Sequence, residues 1–351
     1  MDSSSSSEGD ASPRRTTSDL LQLISLEHRP TEAHAKKCQE ITLSVVSLLE
    51  EKMGSGISGH VMVAGSFGKG TALANLSDYD IVIFFNNLEP PFWKILQTME
   101  AILKGNAVMF RGFKWKIRSS IHLSFDIDGV QFDLAPAAQL DHNFQWTQWT
   151  CFAPNLLTPS PSQQYVKTLQ KMAQMPYPET TSYMYSTSLS IDSVIFVQRQ
   201  WPFIHSLIRL AKYWAHQVNI SGGLLRGRSL LIETVAIHAS YSLNYSDLID
   251  STCNLHKAFI KFLEFFSDAR NMRLYVFINY QQSAIPSYIY SQKPLVLDTV
   301  NPYNNLVGPR NCSVAALKCF EDAAKITLQK LNAWESRESS CLTQFRRTLE
   351  L

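Results

Sequence analysis

No apolar stretch in this 351-residue chain reaches the roughly 18 residues that a membrane-spanning helix needs, so no bilayer crossing is expected. The six cysteines, Cys38, Cys151, Cys253, Cys312, Cys319 and Cys341, form no C-x-x-C pair and no cluster with histidine. That spacing argues against a structural zinc site. The Ser-rich start, Met1 to Thr17, has no apolar core of the kind a secretory signal requires. Together with scattered cysteines, this points to reduced thiols and a cytoplasmic protein. Met1-Asp2 argues against N-myristoylation, and the Thr-Leu-Glu-Leu end is no prenylation box. An excess of one charge is missing too. With 32 Lys and Arg against 30 Asp and Glu, the net charge is +2, so any basic surface must come from local clustering.

Hydrophobic residues make up 45% of the chain and charged residues 18%, the composition of a globular protein with room for two lobes. Residues 1–18 read as a disordered tail. Ile41, Val45, Leu48 and Leu49 share one helical face, which predicts an amphipathic helix over 32–53, stopped at Gly54-Ser55-Gly56. Strand-like runs follow at 60–64 and 78–85, with a Gly-rich turn, Gly65 to Gly70, between them. Residues 91–104 read as a helix, and 107–136 as two or three strands broken by a turn at Asp126-Ile127-Asp128-Gly129. The basic, aromatic run Phe110 to Arg118 reads as a half-buried strand with a cationic face rather than an RNA-stacking platform. From 162 onward the spacing is helical: 162–174, 200–218, 229–242, 252–267 and 312–334. The expected layout is a tail (1–18), an α/β catalytic lobe (19–185), a helical lobe (186–335) and a second tail (336–351), with a cleft between the lobes.

The chemistry concentrates between Ala64 and Phe85. Gly70 follows Lys69, so the loop is not a Walker A sequence, and its glycines run G-x-x-G-x-G rather than G-x-G-x-x-G. What remains is Gly-Ser, a short helix, then Ser-Asp-x-Asp on a strand. Residues at i and i+2 of a strand share a face, so Asp78 and Asp80 present two carboxylates together, and like charges so placed call for a cation. Hard oxygen ligands select magnesium, which also bridges triphosphate oxygens. Gly65 lets the backbone approach a phosphate closely, and Ser66 offers a hydroxyl. A third carboxylate, Asp133 in Val130-Gln-Phe-Asp-Leu-Ala-Pro136, comes from a neighbouring strand. Three such groups suit two magnesium ions, with manganese as the substitute, and phosphoryl transfer from a nucleoside triphosphate. His142 with Trp146 and Trp149, and His205 with His238, lack ligand spacing and receive no role.

These residues resemble the nucleotidyltransferase superfamily that includes poly(A) polymerases, oligoadenylate synthases and cyclic GMP-AMP synthase, and are most similar to the oligoadenylate synthases. The stretches that carry the resemblance are Gly65 to Leu73, Ser77 to Phe84 and Gln131 to Ala137. Tyr165-Val-Lys167, Ser206 to Trp214, and Pro294 to Pro302 with Asn305 follow in order. The resemblance spans roughly residues 30–335. It implies an α+β, two-lobed nucleotidyltransferase fold: a mixed sheet with helices, a helical second lobe and the active site in the cleft. It also implies that Asp78, Asp80 and Asp133 are the catalytic metal ligands and that Gly65, Ser66 and Lys69 meet nucleotide. Arg209 and Lys212, at i and i+3 on one helix, are implied to bind the donor triphosphate. The implied reaction makes 2′-5′-linked oligoadenylates from ATP in antiviral innate immunity, switched on by double-stranded RNA. Lys36, Lys37, Lys52 and Arg199 are the candidate contacts, since duplex RNA is read through its backbone by spaced cations. One departure stands out. Where oligoadenylate synthases carry a Gln that touches the donor, this chain has Ser229, as cyclic GMP-AMP synthase and its relatives do. A cyclic dinucleotide made with a second nucleoside triphosphate is therefore the alternative product. A catalytically silent RNA-binding scaffold and an RNA-tailing enzyme are the remaining alternatives.

Overall fold

The computed structural model describes residues 16–54, 60–141, 163–175, 181–220, 223–243, 251–276, 279–335 and 341–349; His142, Trp146 and Trp149 lie outside them. Helix α1 (Thr17–Glu27) starts on a reciprocal cap. The Thr16 hydroxyl accepts from Asp19 N, and the Asp19 carboxylate accepts from Thr16 N. Helix α2 (Glu32–Met53) follows and ends on Gly54 at φ 63, a left-handed position that glycine takes without strain. A five-stranded sheet comes next: β1 (His60–Val63), β2 (Tyr79–Asn86), β3 (Lys114–Arg118), β4 (Leu123–Ile127) and β5 (Val130–Gln139). The four-residue α3 (Gly65–Gly68) sits between β1 and β2, and α4 (Trp93–Gly105) between β2 and β3.

The strand order is β1-β2-β5-β4-β3. Only β2 and β5 run parallel; the other pairs are antiparallel. Central β2 is covered on both faces, which is why Ile81 to Phe85 is an unbroken apolar run. The β4–β5 hairpin closes on Asp128 (φ 49) and Gly129 (φ 78), the paired positive φ of a two-residue turn matched to sheet twist. Edge strand β3 packs Trp115 on Phe125 and leaves Lys114, Lys116 and Arg118 to solvent.

The second half is helical: α5 (Gln163–Gln174), a 3₁₀ stretch Ser182–Leu189, α6 (Ser190–Gln198), α7 (Pro202–Gln217), α8 (Arg228–Tyr241) and α9 (Ser251–Ser267). A two-residue β6 (Arg273–Leu274), α10 (Ser287–Tyr290), β7 (Leu295–Val296), α11 (Val314–Glu335) and α12 (Leu342–Leu349) complete it. Helix α7 is the axis of this half. Trp214 is fully buried against Phe262, Phe266 and Phe320 and donates its indole N–H to Thr327 at 2.9 Å. One continuous hydrophobic core runs from the sheet through these helices. Among the described residues, no helix is long and apolar enough to cross a membrane.

Two bounds of the expected layout shift. Thr16 caps α1 and residues 17 and 18 lie in its first turn, and α1 packs on α7 and α9 of the helical half, with Ser25 donating to the Ser206 carbonyl at 3.1 Å. The expected tail at 336–351 contains α12. Its Phe345 and Leu349 are buried, the Phe345 ring meets Trp334 at 5.1 Å, and Arg346 pairs with Glu27. Helix α12 is short and rich in polar residues, so its apolar face is visible only once α1 and α11 supply the surface it covers.

Candidate active site

The three aspartates reach one place because of register. Asp80 on β2 lies directly beside Asp133 on parallel β5, and Asp78 precedes β2 by one residue. All three line a cleft of about 540 Å³ between the sheet and the helical half. Burial raises the Asp80 carboxyl to about 7, reinforced by the charges of Asp133 and Asp78 and opposed by Lys69 and Lys212. Asp78 is raised to about 6 by burial and then by Asp133. Two carboxyls whose charged forms are disfavoured by burial and by Asp133 are a site that a divalent cation would stabilise. Among the described residues, no three His, Cys, Asp or Glu side chains converge as a closed metal cage. An open donor set of this kind fits magnesium, which is held by a few carboxylates and completes its shell with water and phosphate oxygens.

Both raised carboxyls lie above the unfolded value, so the metal-free fold holds protons that the unfolded chain has released. Their contribution to stability is therefore present at pH 4 and is lost as pH rises towards 7. Asp80→Asn should accordingly raise the melting temperature of EDTA-treated protein at pH 7.5 by more than at pH 4.5. Equal shifts at both pH values would refute this.

Gly65 opens the loop after β1 at φ +53, and a Cβ there would overlap the Asp80 carboxylate. Gly65→Ala should therefore displace Asp80, with transfer activity down by about 10²-fold or more and magnesium no longer raising the melting temperature; near-wild-type values for both would show that the loop shifts freely.

From across the cleft, α7 and α8 bring Lys212 and Glu233 to Lys69, which follows α3, and the three form a buried ionic group. Lys69 Nζ lies 2.6 Å and Lys212 Nζ 3.7 Å from the two oxygens of Glu233, and all three residues are less than a tenth exposed. Lys212 also donates to Thr71 Oγ1 at 3.1 Å. Burial, with Lys69 alongside, holds the Lys212 ammonium down at about 8 against the pull of Glu233. Gly65, Ser66, Lys69, Lys212 and Ser229 all line the cleft, as expected of nucleotide contacts.

Arg209 does not line it. Its guanidinium donates to the Gly70 carbonyl at 2.9 Å and to Ser206 Oγ at 3.3 Å. In this structure Arg209 fastens the glycine loop, whereas Lys212, expected beside it at the triphosphate, lines the cleft. The i, i+3 spacing places two cations on one side of a helix but does not set how deep each reaches. Sequence reasoning gave no role to Glu233, His216, Arg228 or Asp298, which also line the cleft. Asp298 caps its own turn, accepting from Val300 N and Asn301 N. Arg228 reaches His216 Nδ1 at 3.0 Å.

The four RNA candidates sit on α2 and at the end of α6. Lys36 is exposed. Lys37 is tied to the β4–β5 turn through the Asp128 carboxylate at 2.7 Å, Lys52 pairs with neighbouring Glu51, and Arg199 caps α6. His205 and His238 bond backbone groups of Val197 and Tyr275.

The family model described as "2′-5′-oligoadenylate synthetase 1, domain 2, C-terminus" matches residues 158–344, more than half of the chain, and a nucleotidyltransferase domain model matches residues 47–134. No curated protein matches by sequence. The fold is similar to that of E. coli MS115-1 CdnC in complex with HORMA-deltaN. That likeness has a TM-score of 0.60 at 15% identity, over 94% of this chain and 95% of that one. E. coli MS115-1 CdnC with ATP gives a TM-score of 0.57 at 17% identity, over 95% and 97% of the two chains. The Cid1 poly(U) polymerase with magnesium and 3′-dATP gives 0.57 at 13% identity, over 95% and 98%.

Proposed function

Because this chain belongs to the 2′-5′-oligoadenylate synthetase family and is a nucleotidyltransferase, we propose that it joins ATP into 2′-5′-linked oligoadenylates when double-stranded RNA is bound, as a cytoplasmic antiviral sensor. The observation that carries the reaction is the meeting of Asp78, Asp80 and Asp133 with Lys69 and Lys212 across one cleft. Asp78, Asp80 and Asp133 would hold magnesium, or manganese in its place, whose charge offsets the carboxylates and the phosphates. Lys69 and Lys212 draw the triphosphate into the cleft, and Gly65 and Ser66 let it lie close to the backbone. An acceptor ribose hydroxyl attacks the donor's α-phosphorus. A new P–O bond forms, the bond to the bridging oxygen breaks, and pyrophosphate leaves with that electron pair. Asp133 receives the hydroxyl proton and passes it to water.

RNA enters this reading through α2 and the end of α6. Lys36, Lys52 and Arg199 supply phosphate contacts, and Lys37 would have to leave Asp128 to join them. A cyclic dinucleotide is the second reading, favoured by Ser229 at the start of α8 and by the fold shared with the CdnC structure that contains ATP. One experiment separates them: ATP, GTP, CTP and UTP, singly and mixed, with magnesium and with or without duplex RNA. Linear 2′-5′ products keep a terminal phosphate that phosphatase removes; a cyclic product resists it. Extension of an added RNA primer would instead mark a tailing enzyme.

A further inference from the structure

A second cavity, about 200 Å³, adjoins the carboxylates. It shares Gly65, Asp80 and Asp133 with the main cleft, and its other walls include Ile121, His122 and Thr187. His122 stands in the turn between β3 and β4, with Nε2 3.9 Å from Asp133 Oδ2. The other Asp133 oxygen is occupied by the Ser124 hydroxyl.

The turn fixes this ring. Ser119 N donates to the His122 carbonyl at 2.9 Å, and Ser119 Oγ accepts from Ile121 N and His122 N at 3.2 and 2.9 Å. The same Oγ lies 2.9 Å from His122 Nδ1. The Ser119 hydroxyl proton also has the His122 carbonyl within reach, at 3.1 Å, so the turn accepts either ring tautomer. In both, Nε2 stands beside Asp133 and the cavity as a donor or an acceptor, and a ribose hydroxyl can meet either.

Resting on the nucleotidyl-transfer reading, we infer that His122 is a positioning residue for the acceptor ribose. Its Nε2 holds one of the vicinal hydroxyls and leaves the other facing Asp133, so it sets which oxygen forms the new phosphodiester. A ribose offers two adjacent hydroxyls of similar reactivity, and one directional hydrogen-bond partner beside the base is enough to tell them apart. Ser119 acts through His122 by fixing the ring.

The test compares wild type, His122→Ala, His122→Gln and Ser119→Ala. Products from ATP, magnesium and duplex RNA are digested with a nuclease that cuts only 3′-5′ links. The His122→Ala protein is expected to change the ratio of 2′-5′ to 3′-5′ links by about tenfold or more, the loss of one hydrogen bond. Ser119→Ala should shift it in the same direction, and His122→Gln, which keeps an N–H donor, should stay close to wild type. A second arm needs no turnover. Binding of the dinucleotide ApA is measured with calcium in place of magnesium, and His122→Ala should weaken it by about tenfold. An unchanged linkage ratio with a lowered rate overturns the assignment, because it makes His122 a structural prop. Equal affinity for ApA in both proteins, or no affinity in either, overturns it as well. Absence of pyrophosphate release by wild type counts against the reaction itself, and the binding arm still decides on His122.

Discussion

Asp133→Asn should lower turnover by about 10³-fold or more, equivalent to ~4 kcal/mol of barrier, with the fold unchanged. The substitution keeps the size of the side chain and an oxygen for the Ser124 hydroxyl, so the β4–β5 pairing has no reason to shift. What disappears is the negative charge next to Asp80. That charge holds part of the metal in this reading, and its second oxygen is the proton acceptor for the attacking hydroxyl. In the same reading triphosphate affinity would rest on Lys69 and Lys212, which line the cleft, so KM for ATP should move far less than kcat. Pyrophosphate release measures both. Turnover within tenfold of wild type would remove Asp133 from the chemistry.

Glu233→Gln should be the most destabilising conservative change in the cleft, by about 3–5 kcal/mol. The carboxylate is 3% exposed and sits between two buried ammonium groups. Removing its charge leaves Lys69 and Lys212 facing each other without their nearest counter-charge. A triphosphate brings negative charge to the same place, so ATP should raise the variant's melting temperature by more than it raises the wild type's. A melting temperature equal to wild type, or an identical shift with ATP, would show that the two lysines are not held through Glu233.

The meeting of the three aspartates is legible because its signals are local. Asp78 and Asp80 need only strand alternation, and Asp133 needs only a neighbouring strand. The helices at 202–217, 228–241 and 251–267 lie within two residues of where periodicity places them. Glu233 was opaque for the opposite reason. Its partner Lys69 is 164 positions away, and on its own helix it reads as one more acidic residue. Arg209 shows that a motif can name a residue without giving its direction, since backbone carbonyl and triphosphate attract the same guanidinium. His122 was invisible because its meaning depends on a turn whose four residues, Ser119 to His122, carry no motif.

The position of α1 changes how the two halves are joined. The chain leaves the helical half after α1, enters the sheet half at α2, and returns through the segment that leads into α6 and α7. Each crossing is tied to the stretch between β1 and β2: the His28 carbonyl accepts from Ala74 N at 2.7 Å while its ring stacks on Tyr213 of α7, and Gln198 donates to the Gly68 carbonyl at 2.7 Å. A body joined to another by one strap can swivel in any direction. Two straps leave a single axis, like a door on two hinges, and here both hinges are fixed to the stretch that carries Gly65. A push on α2 or α6 would therefore bear on the stretch where Gly65 lies against Asp80.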